Sequence, residues 1–193
     1  MLIGITGAAG AGKDTVAGLI TGMVPWSSVY HFAGPVKQMA LAIDPWVEVG
    51  QHPDGSLHVS RLSHIVQMYG WTLAKQLPEV RRFLQRLGTE GARATFGDNC
   101  WVELMRDQYY KLEGFATLVV PDTRFPNEAK AIHEEGGKII KVIRPNPYDL
   151  GDNALHASER GIDGDIVINN DGDLAALEIK VQRVLEELGY TWF

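Results

Sequence analysis

The segment Leu2-Ile-Gly-Ile-Thr-Gly-Ala-Ala-Gly-Ala-Gly-Lys-Asp-Thr-Val-Ala constrains this chain more than any other. An apolar, strand-like run leads into a turn built of Gly and Ala, and Lys13 then opens a helical pattern. Small residues let the backbone curl so that several N–H groups point inward, and the following helix adds its positive N-terminal end. Such a unit holds a di- or triphosphate, with Lys13 bridging the β and γ phosphates as a point charge. At background usage the pattern G-x-x-x-x-G-K arises by chance on the order of 0.1 times in a chain this long, and its position between strand and helix makes it rarer.

The rest of the chain has the alternation such a loop requires. Short β-like runs at 2–6, 29–32, 117–120, 138–143 and 165–169 alternate with helical patterns at about 13–22, 35–42, 62–69, 78–96, 101–112, 127–135 and 173–188. This predicts an α/β fold of three layers, α/β/α, with a five-stranded parallel sheet covered on both faces. About 85 residues separate the second and third runs, more than one crossover needs, which predicts a helical insertion over about 44–115 within a single domain of 193 residues. Asp44 to Leu57 carries Pro45, Gly50, Pro53 and Gly55 and reads as loop. A second irregular stretch, about 145–164, reads as a lid; Arg144, His156 and Arg160 lie in or beside it, one of the arginines a candidate to close over the γ phosphate, with a solvated loop charge as the other reading of each.

Composition narrows the function classes. The balance of 18 Lys+Arg against 24 Asp+Glu, net −6, argues against a nucleic-acid binder. No apolar window approaches the 18 residues that would suggest a membrane span. The single cysteine, Cys100, excludes an internal disulfide, and the chain opens without a charged-then-apolar leader, so a reducing cytoplasm is expected.

Several residues carry candidate chemistry. Asp14 stands where a Ser or Thr hydroxyl normally meets Mg²⁺, with Thr15 one place later. Two like unit charges about 4 Å apart at an effective dielectric near 20 repel by roughly 4 kcal/mol, so Asp14 beside bare phosphates would oppose binding. The expectation is that Asp14 faces Mg²⁺, directly or through water, and that Thr15 bonds a phosphate oxygen; alternatively Asp14 is a first-turn helix residue favoured by the dipole. Asp122 follows the third β-like run, at the sheet edge where open α/β folds bind ligands, and is placed to hold Mg²⁺ or its water, with Arg124 reaching a phosphate. The other reading makes Asp122 a turn residue ahead of a helix starting at Pro126-Asn127-Glu128. Gly88 and Gly91 cost a helix about 1 kcal/mol each, so either the helix breaks there or something approaches its backbone. Glu90 and Arg93 then lie near one another, as a binding pair or as a surface ion pair. Trp101 stacks on a base or belongs to the core.

Taken together, Gly12-Lys-Asp-Thr15, Phe32-Ala-Gly-Pro-Val-Lys37, Leu84-Gln85 with Gly88-Thr-Glu90 and Arg93, Trp101-Val102, Asp122-Thr-Arg-Phe125 with Asn127-Glu128, and His156-Ala-Ser-Glu159 resemble the bacteriophage-type deoxynucleoside monophosphate kinases over almost the whole chain. Gly34 departs from the Asp often found in the corresponding F-A-x-P-L-K segment. The resemblance implies a P-loop kinase fold, ATP as donor, a deoxynucleoside 5'-monophosphate as acceptor, Mg²⁺ held through Asp14, Thr15 and Asp122, and a homodimer. It implies that Gly10, Ala11, Gly12, Lys13, Asp14 and Thr15 hold ATP, with Asn169 and Asn170 near the donor adenine. It further implies that Lys37, Gln85, Glu90, Arg93 and Trp101 face the acceptor and that Arg124 contacts the transferring phosphate. Competing readings are a small-molecule P-loop kinase acting on a coenzyme precursor or an isoprenoid phosphate, a nucleotide-binding switch ATPase, and a non-catalytic domain.

Overall fold

A computed structural model describes residues 1–51, 54–112, 114, 116–145 and 162–191. These form two compact units, Met1–Phe32 with Val102–Phe193, and Ala33–Trp101.

The first unit is built on a five-stranded parallel sheet of β1 (Leu2–Thr6), β2 (Ser27–Val29), β5 (Thr117–Val120), β6 (Lys138–Ile143) and β7 (Ile166–Asn169), in the order β2-β5-β1-β6-β7. β1 is central and wholly buried, as a continuous apolar run flanked by parallel strands should be. Its side chains alternate between two faces. Ile3 and Ile5 join a core with Val16 and Ile20 of α1 (Lys13–Met23) and Leu177, Val181 and Leu185 of α8 (Leu174–Glu187). The opposite face meets α7 (Pro126–Glu134), which approaches so closely that a Cβ on Gly4 would lie 2.6 Å from Ile132 Cδ1. Helices therefore cover the sheet on both sides, as the alternation predicts.

The second β-like run is displaced. The strand spans Ser27–Val29 rather than 29–32, because beyond Val29 the chain leaves the edge: Tyr30 N–H still donates to Val119 O (2.9 Å), but Phe32 N–H turns to the Asp122 carboxylate (2.9 Å).

In the second unit, α2 (Ala33–Ile43), α3 (Leu62–Ala74) and α4 (Pro78–Gln85) pack Ala40, Leu62, Ile65, Ala74 and Val80 around Val47. The stretch read as loop is instead an antiparallel hairpin of β3 (Trp46–Gln51) and β4 (Leu57–Arg61), with a register irregularity between Glu48 and Gly50. Pro45 stands at its entry, Gly50 at its irregularity and Gly55 between the strands, while Pro53 lies outside the described residues; the element these residues punctuate is a ribbon. Asp44 closes the hairpin onto α3 by accepting from Ser63 N–H (2.8 Å) and Ser63 Oγ (3.0 Å).

The pattern at 78–96 predicts one helix. It begins as α4, continues as a π-helix over Arg86–Arg93, and ends in the short helix α5 (Ala94–Phe96). Gly88 and Gly91 thus neither break the chain nor sit in ordinary α-helix; they lie in the wider turn, where a Cβ on Gly88 would already touch Val36 at 3.4 Å. α6 (Cys100–Tyr110) then leads back towards β5.

Candidate functional site

The Gly-rich loop joins β1 to α1 at the carboxyl edge of the sheet. Its backbone takes conformations that L residues avoid: Gly7 has φ 146°, Gly10 76° and Gly12 98°. Gly7 is also pressed against β6, where an added Cβ would lie 2.3 Å from Val142 O. Gly12, in the left-handed region, is the N-cap of α1 and makes no side-chain capping hydrogen bond. Ala11 N–H turns back to Ala8 O (3.2 Å), and the Lys13 ammonium donates to Gly7 O (2.9 Å) and Ala8 O (2.7 Å), which holds its charge over the loop. A helix N-terminus and an ammonium at one turn are chemically suited to an anion. Asp14 and Thr15 follow in the first turn of α1, both exposed.

Sheet register brings the second group to this edge. Gly4 pairs with Val120, so the residues after β5 emerge beside the residues after β1, and Thr123 N–H donates to Ile5 O (3.2 Å). Asp122 is thereby fixed, half-buried, with one oxygen on Phe32 N–H. Arg124 is exposed, and its position is set from below: the buried Glu128 carboxylate accepts from Arg124 N–H (2.8 Å) and Phe125 N–H (3.0 Å), closing the start of α7 over Pro126. Tyr30 also faces this region. Its hydroxyl is buried with no hydrogen-bond partner, and burial, with the charges of Asp122 and Asp107, pushes its pKa up to about 12.

On the other side of β1, the ends of β6 and β7 carry Arg144, Asn169 and Asn170. Arg144 and Asn169 are exposed, whereas Asn170 is buried with its amide donating to Ala11 O (2.9 Å). The Asn170 side chain therefore lies on the phosphate loop. His156 and Arg160, with most of the lid stretch, lie outside the described residues.

The remaining predicted residues lie in the second unit. The Lys37 ammonium sits 5.7 Å from the Trp71 ring centroid, a cation–π placement on an intermediate-exposure tryptophan. Gln85, at the end of α4, lines a cavity of about 610 Å³ together with Thr72, Lys75, Arg81 and Arg82. Those three cations are site candidates that sequence reading missed; the available signal was Arg81-Arg82 at three and four residues before Gln85, which puts them on one helix face. Glu90 pairs with Arg86 (3.2 Å), and the Arg93 guanidinium donates to Asp98 O (3.2 Å), so the surface ion pair that forms is Glu90 with Arg86. The π-helical turn rotates residues away from α-helical i,i+3 spacing. Trp101 is only 5% exposed and its indole N–H donates to Gly88 O (3.1 Å); in this conformation it is core, holding a carbonyl of the π-helix.

A dedicated metal cage is absent among the described residues, which contain no group of three His, Cys, Asp or Glu side chains able to hold an ion. Asp14, Thr15 and Asp122 offer hard oxygen donors at the edge that carries the loop. That donor set fits Mg²⁺, which dehydrates reluctantly and is commonly held by one or two carboxylates plus substrate phosphates. No described helix is long and apolar enough to cross a membrane.

Comparison with known proteins agrees with the motifs. The chain is 37% identical over 114 residues to the deoxynucleotide monophosphate kinase of Enterobacteria phage T4, a match covering 56% of this chain and 46% of that protein. It is 33% identical over 111 residues to the deoxynucleotide monophosphate kinase of Escherichia phage RB69, covering 55% and 44%. A putative deoxynucleotide monophosphate kinase of Acanthamoeba polyphaga mimivirus is 28% identical over 177 residues, covering 82% of this chain and 80% of that one. The matched region spans about half the length of the two phage relatives. The sequence model of the family described as deoxynucleotide monophosphate kinase matches residues 57–181. That stretch holds Gln85, Glu90, Arg93, Trp101, Asp122, Arg124, Asn169 and Asn170, and with this match over more than half its length the chain belongs to the deoxynucleotide monophosphate kinase family.

Proposed function

We propose that this protein transfers the γ-phosphoryl group of ATP to the phosphate of a deoxynucleoside 5'-monophosphate, giving a deoxynucleoside diphosphate and ADP. The observation that carries this reading is the Gly-rich turn with the Lys13 ammonium over it, at the carboxyl edge of a parallel sheet, in a chain of this family. Lys13 and the amides of Gly10 to Thr15 hold the donor's phosphates. Lys37, Gln85, Glu90 and Arg93 serve the acceptor, joined by Lys75, Arg81 and Arg82, whose cavity concentrates positive charge suited to a monophosphate dianion.

The acceptor phosphate has a second pKa near 6, so its attacking oxygen is mostly ionised at pH 7 and the reaction needs no strong base. What it needs is in-line placement of two polyanions and neutralisation of charge on the transferring group. In this reading Lys13 and Arg124 supply cationic contacts, and Asp14, Thr15 and Asp122 hold Mg²⁺ or its waters. Held there, Mg²⁺ would supply neutralisation of the charge that develops on the transferring group. The working form is a cytoplasmic homodimer.

A coupled ADP-release assay with Mg·ATP and each of dAMP, dGMP, dCMP and dTMP, with their ribonucleotide counterparts, tests the reading. Acceptor-dependent formation of a deoxynucleoside diphosphate is expected. Acceptor-independent hydrolysis alone would refute it in favour of a switch ATPase. Lys13→Ala should lower turnover by roughly 100-fold or more, the scale for a lost transition-state charge contact.

A further inference from the structure

We propose that Asn170 is a positioning residue that sets the working shape of the phosphate loop, and that Lys180 holds Asn170 in place to do so. The inference rests on the reading of Gly7 to Thr15 as the donor's phosphate site. It assigns Asn170 a different task from contact with the adenine.

Three observations converge on the turn after β7. The Asn170 amide, on a residue only 8% exposed, donates to Ala11 O at 2.9 Å, across 159 residues of sequence. The same nitrogen lies so close to Gly12 that a Cβ there would be 2.5 Å away, so loop and asparagine are in direct contact at the last residue before α1. The turn itself is tied down from both sides. Asn170 N–H donates to Ile143 O (2.7 Å), while the Lys180 ammonium of α8 donates to Asn169 O (2.6 Å) and pairs with the Asp171 carboxylate.

Peptide planarity turns this contact into a statement about the phosphate site. In a trans peptide the carbonyl of Ala11 and the N–H of Gly12 point in opposite directions. By holding the Ala11 carbonyl, Asn170 aims the Gly12 N–H away from itself, to the side where the loop meets an anion. Gly12 at φ 98° has no side chain to resist rotation of that peptide, so without the asparagine the plane swings freely. Asn170 thus acts through the loop backbone, and its effect falls on the donor and not on the acceptor.

The test is calorimetric titration of Mg·ATP into the full chain, wild type against Asn170→Ala, Asn170→Asp and Lys180→Met, with steady-state KM for ATP and for the acceptor measured on the same preparations. Asn170→Ala should weaken ATP binding about tenfold, the scale for losing one buried hydrogen bond and leaving its acceptor unpaired, with acceptor KM unchanged. Asn170→Asp has the same shape but sets a carboxylate against the Ala11 carbonyl. It should bind ATP more weakly than the alanine variant at pH 8, and should recover relative to wild type as pH falls and the carboxylic acid regains a proton to donate. Lys180→Met should shift ATP binding in the same direction by about threefold. ATP affinity within twofold of wild type in folded Asn170→Ala, or an Asn170→Asp variant without relative recovery at low pH, would overturn the proposal. Wild-type protein that binds ATP but phosphorylates no deoxynucleotide would overturn the kinase reading and leave the latch standing.

Discussion

Replacing Gly7 by Ala isolates what holds the phosphate loop against the sheet. An added Cβ would lie 2.3 Å from Val142 O, and the partner is backbone of β6, a strand hydrogen-bonded on both sides to β1 and β7. That oxygen cannot swing aside as a side chain would, so the loop must lift. Overpacking of this kind costs about 1–3 kcal/mol, and a non-glycine residue at φ 146° adds about 1–3 kcal/mol of backbone strain. Together these give roughly 2–6 kcal/mol, against a total stability of about 5–15 kcal/mol for a typical domain. At about 2–4 °C per kcal/mol for a chain of this size, the melting temperature should fall by at least about 4 °C. Gly10→Ala provides the comparison: Gly10 has φ 76° but no atom within 4 Å of an added Cβ, so it should cost only the αL strain of about 1–2 kcal/mol. Urea unfolding of the two variants, followed by titration with Mg·ATP, measures the difference. Gly7→Ala should be the less stable by at least about 1 kcal/mol and the weaker ATP binder. Equal stability of the two variants would refute the argument that the loop is seated by its contact with Val142.

Other residues around the site give further expected outcomes. Glu128→Ala should destabilise by about 2–3 kcal/mol and lower turnover by loosening the turn that carries Arg124. Glu128→Gln should recover most of both, because the two N–H bonds converge on one oxygen that an amide also supplies. Tyr30→Phe removes a buried hydroxyl with no partner and should be neutral or stabilising by up to about 1 kcal/mol in thermal unfolding at pH 7. The same substitution should remove an alkaline loss of stability: with a pKa raised from 10.0 to about 12, Tyr30 contributes fully below pH 10, and that contribution disappears as pH rises to about 12. Asp165 behaves oppositely. Burial raises its pKa, but Ile139 N–H (2.7 Å), His133 (2.9 Å) and Lys138 outweigh this and leave it lowered. Its contribution is therefore present above pH 3.8 and is lost as pH falls through the lower folded value, so urea midpoints of Asp165→Asn should be less acid-sensitive than those of wild type.

The parts of the fold legible in the sequence are those whose information is local. Leu2–Thr6, the glycines after it and Lys13 announce strand, loop and helix within a dozen residues, because a buried parallel strand must be continuously apolar and a phosphate loop must be small. Lys138–Ile143 and Thr117–Val120 are legible for the same reason. The β3–β4 hairpin was not: its residues are largely exposed and interrupted by proline and glycine, and what makes it a ribbon is the pairing of Trp46 with Arg61 and of Val47 with Ser60. The π-helix over Arg86–Arg93 was equally hidden, since the composition of a helix does not state its hydrogen-bond step.

The sequence by itself determined the chemistry available: a lysine after a glycine loop, a carboxylate and an arginine after a strand, and a family signature over most of the chain. Only the tertiary structure decided which of these groups hold one another. Asn170 looks like a turn residue near a nucleotide until the sheet brings it onto Ala11, and Trp101 looks like a stacking surface until packing buries it against Gly88. A hydrogen bond between residues far apart in sequence leaves no periodicity or spacing to read, because the register of the sheet and the packing of the helices, not the chain between them, put the two atoms 3 Å apart.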